Sequence, residues 1–398
     1  MKFAHFADCH IGGWREEKLK NLGIRIFREA VDICIKENVG FVLISGDLFN
    51  TALPSIDILK EVALILRKLK VKNIGVYVVP GSHDFSPSGK TMLDVLESSG
   101  LIVNVMKFEN GKSKFFQDKT GVKITGILGR KGGLEKTDYL ELNREELERE
   151  EGFKIFMFHS LLNELKPKEF EKIDGESLFS LPKNFKYYAG GHPHFVFSKF
   201  IDNYGLVTYP GPLFPNNFGE LEKLGHGGFY IVDDKLNLRF VDLKFHDVSS
   251  FLVDVGGKGV LDVEREIESL AFEIENKIIT LRIEGVLEKG KPSDINFKKI
   301  ENLFYDSGAF VVLRNVSKLT SKVFEELKVD GSSIDEIESN VINEHKTDFV
   351  DYEKVVEILM KTFDKEKGEG EKVLDFENRL IKEVIEVLKL KEVWNEIK

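Results

Sequence analysis

Five short stretches of the chain set acids and histidines at spacings suited to gripping a cation: HFADCH with Asp8 and His10, LISGD with Asp47, VVPGSHD with Ser82, His83 and Asp84, FMFHS with His159, and YAGGHPH with His192 and His194. Each closes a short apolar run that reads as a strand. Residues two apart in extended chain point to the same side, so Asp8 with His10, and His192 with His194, each form a pair able to hold one ion. Oxygen and nitrogen donors without thiolate suit Mn²⁺, Fe²⁺ or Zn²⁺, whereas Mg²⁺ prefers oxygen alone and structural zinc prefers cysteine. The set is large enough for two ions roughly 3.5 to 4 Å apart, an arrangement that clamps a phosphoryl group and draws a nucleophile from water near neutral pH. Asp47 is the natural bridge between them. Support for the departing oxygen then falls to His83, with Asp84 either orienting its ring or simply capping the loop.

An open α/β sheet would gather these side chains, because the loops leaving the carboxyl ends of its strands converge on one crevice. The chain up to about residue 190 alternates apolar runs with amphipathic stretches, as expected of strands covered by helices. Strands are predicted over 2–7, 41–45, 75–79, 154–158 and 186–189, with helices whose buried faces run through Ile24, Phe27, Val31 and Cys34, and through Leu59, Val62, Leu66 and Leu69. From 195 to 245, the runs VFSKF, LVTYPG, GFYIV and LRFVDLKF, divided by turn residues, predict a second sheet packed on the first. After His246 the texture changes to short strands (FLVDV, KIITLRIEGVL, FVVLRNVS) and helical stretches at Leu261–Glu275 and around Ile300 and Leu303, which predicts a small separate α+β module. Beyond Lys318 the pattern is helical, with Ile342, Phe349, Val356 and Leu359, then a solvated KEKGEGEK linker near 364–372. A last helix begins near Val373, and its stripe of Val373, Phe376, Leu380, Val384, Val387 and Leu388 asks for a partner surface. The expected division is therefore 1–245, 247–318 and 319–398.

With 398 residues, 42% of them hydrophobic and 31% charged, the chain is long enough for more than one core and too apolar to be disordered. Its 57 Lys and Arg against 67 Asp and Glu leave a net charge of -10, so no global positive field draws in nucleic acid and any contact must be local. Arg67, Lys68, Lys70, Lys72, Arg130 and Lys131 are the basic groups placed to touch phosphates, although such runs are more often solvated surface. Cys9 and Cys34 form neither a disulfide framework nor a CxxC pair, which points to a reducing, cytoplasmic setting. Cys9 lies between two candidate ligands but points the other way, as a buried thiol would. No apolar run reaches the roughly 18 residues of a membrane span. A lone histidine at a strand end is usually a packing or surface residue, and His5, His226, His246 and His345 are expected to be of that kind. The weight rests on five segments in order.

That ordered set, D-x-H, GD, G-[NS]-H-D, H and GH-x-H over residues 8 to 194, resembles the calcineurin-like metallophosphoesterases. More narrowly, FADCHIG, ISGDLFN, GSHDFSPSG, LDVLESSGL, YYAGGHPH and YPGPLF are similar to the meiotic-recombination-eleven (SbcD-type) DNA double-strand-break repair nucleases. The resemblance implies a four-layer α/β/β/α sandwich, followed by a small α+β capping domain and a C-terminal helical segment. It implies one metal on Asp8, His10 and His194, a second on Ser82, His159 and His192, Asp47 shared, and His83 acting on the scissile phosphate. It further implies a Mn²⁺-dependent exonuclease and endonuclease acting on DNA ends, an SMC-like coiled-coil ABC ATPase partner, a homodimer, no membrane, and a place on the nucleoid in a prokaryote. Three residues depart from the family. Ser82 replaces the Asn of the GNHD loop with a shorter, weaker ligand, so the second metal is expected to bind loosely. Asn50 stands where the family often has a second imidazole, and Pro212 turns YPGS into YPGP. Two other readings stay open: a phosphodiesterase of small molecules such as cyclic nucleotides, and a DNA-end-binding scaffold weakened in catalysis.

Overall fold

The computed structural model describes residues 1–86, 89–106, 108–109, 112–130, 136–322, 359, 361–362, 365 and 373–387. In its first part, β1 (Lys2–Phe6), α1 (Glu17–Lys36), β2 (Phe41–Ser45), α2 (Ile56–Val71), β3 (Gly75–Val79), α3 (Met92–Ser98) and β4 (Val103–Asn104) alternate as the apolar pattern predicts. Side-chain caps set the helix starts: Glu16 accepts from the Lys18 amide, Ser55 from Ile58, and Thr91 forms a capping box with Asp94. α1 buries Leu22, Ile26, Phe27, Val31 and Cys34, and α2 buries Ile58, Val62, Leu66 and Leu69. Ile24 and Leu59, expected on those faces, lie at their margins and pack on the core only partly buried.

A hairpin of β5 (Phe108–Glu109) and β6 (Lys112–Ser113) leads into β7 (Phe116–Gln117), β8 (Lys123–Gly126), α4 (Lys136–Leu140), α5 (Arg144–Arg149), β9 (Lys154–His159), β10 (Tyr187–Gly191), β11 (Phe197–Ile201), β12 (Gly205–Tyr209), α6 (Phe218–Leu224), β13 (Gly227–Asp233) and β14 (Leu238–Leu243). Two six-stranded sheets result, in the orders β14-β13-β1-β2-β3-β4 and β11-β12-β10-β9-β8-β7. Strands β1 to β4 run parallel, as do β8, β9, β10 and β12. Phe3, Phe41, Leu43, Ile155, Met157 and Tyr187 fill the space between the sheets. α1 and α2 cover the far side of the first sheet, while Tyr139, Leu142, Leu147 and Leu178 cover Phe156, Phe158 and Tyr188 on the far side of the second. The result is an α/β/β/α sandwich.

Two expectations about the sheets need correction. The strands at 154–159 and 187–191 belong to the second sheet, and the later hairpin runs are shared out: β11 and β12 join the second sheet, but β13 and β14 return to the first beside β1. Parallel strands buried on both faces read alike wherever they pair, so pattern alone does not assign them to a sheet.

After β14 come β15 (Val248–Asp254), α7 (Val260–Ser269), β16 (Ile278–Leu287), α8 (Phe297–Asp306) and β17 (Val311–Ser321), the strands in the order β15-β16-β17. The chain divides into two compact units, one of residues 1–254, 264–283 and 296–317, the other of 255–263, 284–295 and 318–398. In the second unit, Lys318 pairs with Glu284 and Lys322 with Glu288, and α9 (Val373–Val387) is the described part of the C-terminal region's helix. Of the residues expected to be helical after Lys318, Ile342, Phe349 and Val356 lie outside the described residues, as does Leu388. Among the described residues no helix is long and apolar enough to cross a membrane.

Candidate metal centre

The turns that follow β1, β2 and β10 carry backbone that L-residues rarely adopt. Asp8 and His10 have φ of 50° and 41°, Asp47 has 52°, and His192 has 92°. Each such residue costs on the order of 1–3 kcal/mol, and surrounding structure must hold it there. Backbone bonds do so: the amides of Asp8, His10 and Ile11 donate to the carbonyls of Gly46, Asp47 and Leu48 at 3.2, 2.9 and 3.0 Å, extending the β1–β2 ladder into the turns. Gly46, at φ 84°, lies so close to the second sheet that a β carbon would stand 2.0 Å from His159 Nδ1. Gly81 leaves equivalent room for Asp47, whose Oδ1 would lie 2.2 Å from a β carbon there.

These turns bring the predicted donors from both sheets into one buried cluster. Donor atoms of Asp8, His10 and His194 lie within 4.8 Å of one another, as do those of Asp8, Asp47 and His159, and those of His10, Asp47 and His83. Asp47 sits at the middle. Its Oδ2 is 3.2 Å from His159 Nε2, 3.6 Å from His10 Nε2 and 3.5 Å from Ser82 Oγ, and its Oδ1 accepts the His83 amide at 2.8 Å. Asp8 accepts the His192 amide at 3.0 Å and lies 3.7 Å from His194 Nε2. His192 stands beside His159, ring centroids 5.2 Å apart, but joins none of these triads among the described residues.

The side chains of the cluster do not satisfy one another electrostatically. Burial pushes Asp8 up to about 6 despite His194 and His159 nearby, and drives His10 down to about 3. Burial, with His159 beside it, takes His192 down to about 4. Burial opposes charge on His159 as well, but Asp47, Asp8 and the Ser45 carbonyl together outweigh it and raise His159 to about 10. Burial likewise opposes ionisation of Asp47, but His159 and His10 hold it well below the usual carboxylate range. His10 Nδ1 is buried without a hydrogen-bond partner, and His159 Nε2, though 3.2 Å from Asp47, makes no well-aligned hydrogen bond. The Nε2 atoms of His10 and His194 are 3.1 Å apart, near the roughly 3.4 Å separation of two nitrogens each about 2.1 Å from one tetrahedral ion. Poorly satisfied imidazole nitrogens and two buried carboxylates in one cluster fit divalent cations and leave little else to satisfy them.

Several neighbours carry no signal in the sequence. Glu220 on α6 accepts from His194 Nδ1 at 2.8 Å, so that nitrogen carries the proton and Nε2 is left with a lone pair facing the cluster. The Ser45 carbonyl accepts from His159 Nδ1 at 2.8 Å, so Nε2, 3.2 Å from Asp47, is the nitrogen whose proton a cation would displace. Asp84 does not orient the His83 ring. Its two oxygens accept from the amides of Leu48, Phe49 and Gly81, at 3.1, 3.1 and 3.2 Å, tying the turns after β2 and β3 together, and burial next to Asp47 pushes it up to about 7. The His83 ring is held instead by the carbonyl of Asn50, 2.8 Å from Nδ1. Asn50 Oδ1 accepts from Asn216 at 3.2 Å, and Pro212 forms an isolated bridge with Ala7.

The cluster opens into a cavity of about 560 Å³ whose other walls include Leu161, Phe170, Ile173 and Lys223. The basic groups that the sequence offers for phosphate contact lie elsewhere and are largely engaged: Lys68 pairs with Asp32, Lys70 donates to the Ser99 carbonyl, and Arg130 pairs with Asp138. Lys131 and His345 lie outside the described residues. Both cysteines are buried. His5 packs between the sheets, His226 meets Asp242, and His246 stacks on Phe310.

Comparison with known proteins adds four findings. Residues 1–196 match the family model described as calcineurin-like phosphoesterase. The chain is 29% identical over 368 residues to the DNA double-strand break repair protein Mre11 of Methanococcus maripaludis, covering 87% of this chain and 92% of that one. It is 26% identical to the protein of the same name from Archaeoglobus fulgidus (92% and 82% covered) and 29% identical to that from Methanocaldococcus jannaschii (76% and 78% covered).

Proposed function

Residues 1–196 belong to the calcineurin-like phosphoesterase family, and on that premise we propose that the chain is a Mn²⁺-dependent DNA exonuclease and endonuclease that processes double-strand-break ends by two-metal phosphodiester hydrolysis. The observation that carries this reading is the meeting of Asp8, His10, His194, Asp47 and His159 in one buried cluster with poorly satisfied imidazole nitrogens. The Mre11 likeness over most of the chain supports DNA as the substrate. In this reading Asp8, His10 and His194 hold one cation, Ser82, His159 and His192 hold the other, and Asp47 serves both. Bound there, divalent cations supply Lewis acidity toward the phosphoryl oxygens and lower the pKa of water.

The chain's own residues do the rest. Glu220 and the Ser45 carbonyl hold the Nδ1 protons of His194 and His159, so that Nε2 of each is the nitrogen offered to a cation. His83 Nδ1 faces a carbonyl and must keep its proton, which makes Nε2 the atom that takes up a proton and returns it to the departing oxygen. Asp84 orients no reacting group; it keeps the Asp47 and His83 turns in register. Residues 1–245 form the nuclease domain, 247–318 a cap over the DNA, and 319–398 a partner-binding region with a linker near 364–372. An SMC-like ABC ATPase is the partner that the resemblance implies for that region, and the stripe of Phe376, Leu380 and Val384 on α9 is the surface offered to it. A homodimer acting in the cytoplasm, on the nucleoid in a prokaryote, completes the assignment.

The test is incubation of the purified chain with Mn²⁺ and linear or hairpin DNA beside a His83→Ala control. Cleavage that needs both Mn²⁺ and His83 is expected. Turnover of bis-p-nitrophenyl phosphate with intact DNA would favour a small-molecule phosphodiesterase. Binding of fewer than about one ion per chain, in a site built for two, would favour a scaffold.

A further inference from the structure

Helix α6 reaches in two directions. Toward the cluster, Glu220 Oε1 accepts from His194 Nδ1 at 2.8 Å and from Asn217 Nδ2 at 2.5 Å, while Oε2 accepts the Asn216 amide at 2.7 Å. A carboxylate held by three donors cannot swing, so it fixes both the tautomer and the aim of the imidazole it grips. Away from the cluster, Glu222 accepts both Nε and a terminal nitrogen of Arg282, on β16, at 3.1 and 2.5 Å, and the same guanidinium lies 5.1 Å from the ring of Phe218. A helix of this length has no stability of its own, and its placement comes from what it touches. Buried Leu221 anchors it to the core, and the two-pronged Arg282 contact with the stacked Phe218 sets its rotation.

We propose that α6 is a positioning coupler: Arg282 of the small sheet holds the helix through Glu222 and Phe218, and Glu220 of that helix holds His194 in the orientation that a cation requires. Glu220 and Arg282 are thus positioning residues for the centre although neither is a ligand. The inference rests on the two-cation reading above. Its consequence is that a change in the placement of Arg282 alters the affinity of one ion and spares the other.

Mn²⁺ titration of the full chain, followed by the electron paramagnetic resonance signal of free Mn²⁺, tests it. The wild type should take up two ions. Glu220→Ala should weaken one site about 10- to 100-fold and leave the second alone, the usual range for loss of a carboxylate behind a metal-binding histidine. Glu220→Gln should recover part of that loss, because its amide oxygen still accepts the Nδ1 proton. Arg282→Met and Glu222→Gln should each weaken the same site severalfold. Melting of the metal-free chain should fall only slightly in Glu220→Ala and Glu222→Gln, by the loss of local hydrogen bonds, while the chain stays folded. Undiminished binding in Glu220→Ala, or equal weakening of both sites with a large fall in metal-free melting, overturns the role of Glu220. Unchanged binding in both Arg282→Met and Glu222→Gln overturns the coupling. A wild-type chain that binds no ions overturns the reading of the site and this inference together.

Discussion

Gly46 illustrates how little tolerance the centre has. A methyl group there would press on His159 Nδ1, and the residue's φ of 84° adds a left-handed backbone cost of about 1–2 kcal/mol for any L side chain. Gly46→Ala should lower stability in urea by at least that amount and lower Mn²⁺ affinity by an order of magnitude; a variant with wild-type affinity would mean that the turn yields freely. Ser82 carries the opposite expectation. Its Oγ is 3.5 Å from Asp47, and Ser82→Asn, with a longer and better donor, should raise occupancy of the second ion and the rate of DNA cleavage. No gain would show that Ser82, or a water it holds, already serves. His5 is the acid-sensitive residue away from the ligands. It meets the Tyr187 hydroxyl at 2.9 Å and Ser45 Oγ at 3.0 Å, and burial takes it down to about 3, below the unfolded value of about 6.5. The unfolded chain therefore binds the proton first, so the His5 contribution is complete above pH ~6.5 and is lost as pH falls toward 3. In metal-free buffer the melting temperature should fall between pH 6.5 and 4.5. His5→Gln should show a much shallower fall: His10 and His192 shift in the same direction, but Asp8 and Asp84, raised by burial, take up protons in the folded chain over the same range and oppose it.

At the level of elements, the turns after β2 and β3 act as one piece because Asp84 bonds the amides of both. Asp84→Asn would turn an amide NH₂ toward at least one of those N–H groups, an unsatisfied buried pair costing about 1–3 kcal/mol. Chemical denaturation should register that loss. An unchanged midpoint would mean the turns hold without it. Asp84 also marks where the sequence stops being legible. The strand ends bearing Asp8, His10, Asp47, His83, His159, His192 and His194 can be read because parallel strands deliver their loops to one crevice. The two-residue spacing is a poorer guide, since Asp8, His10 and His192 sit in left-handed backbone and not in extended chain. The partners of those residues cannot be read. Nothing local in NNFGELEKL says that Glu220 meets a histidine from another loop, although Asn217 three residues before Glu220 does signal a helix start. The return of β13 and β14 to the first sheet is hidden for a related reason: alternating apolar residues fit either sheet, and only the long-range register Phe3↔Val232 decides.

For the molecule as a whole, the centre joins two sheets that otherwise meet through apolar side chains and the polar contacts of His5 and Ser45 with Tyr187, Ala189 and Thr208. Cations bound to Asp47 from one sheet and His159 from the other would act as a cross-link, and mass action adds about 2.7 kcal/mol of stability at ~100 times the dissociation constant. Mn²⁺ should therefore raise the melting temperature and EDTA lower it. His83→Ala should keep most of that rise while losing DNA cleavage. Equal melting with and without Mn²⁺ would tell against a cross-sheet centre. The position of β13 reaches further, into how the protein is made. Synthesis delivers β1 first, and β2 soon pairs with one of its edges, but the other edge waits for Gly227–Asp233. Until Asp233 has left the ribosome, the strand leading to Asp8 presents a bare row of amides and carbonyls to any neighbouring polypeptide. A nascent chain stalled just short of that point is where a chaperone would be needed most.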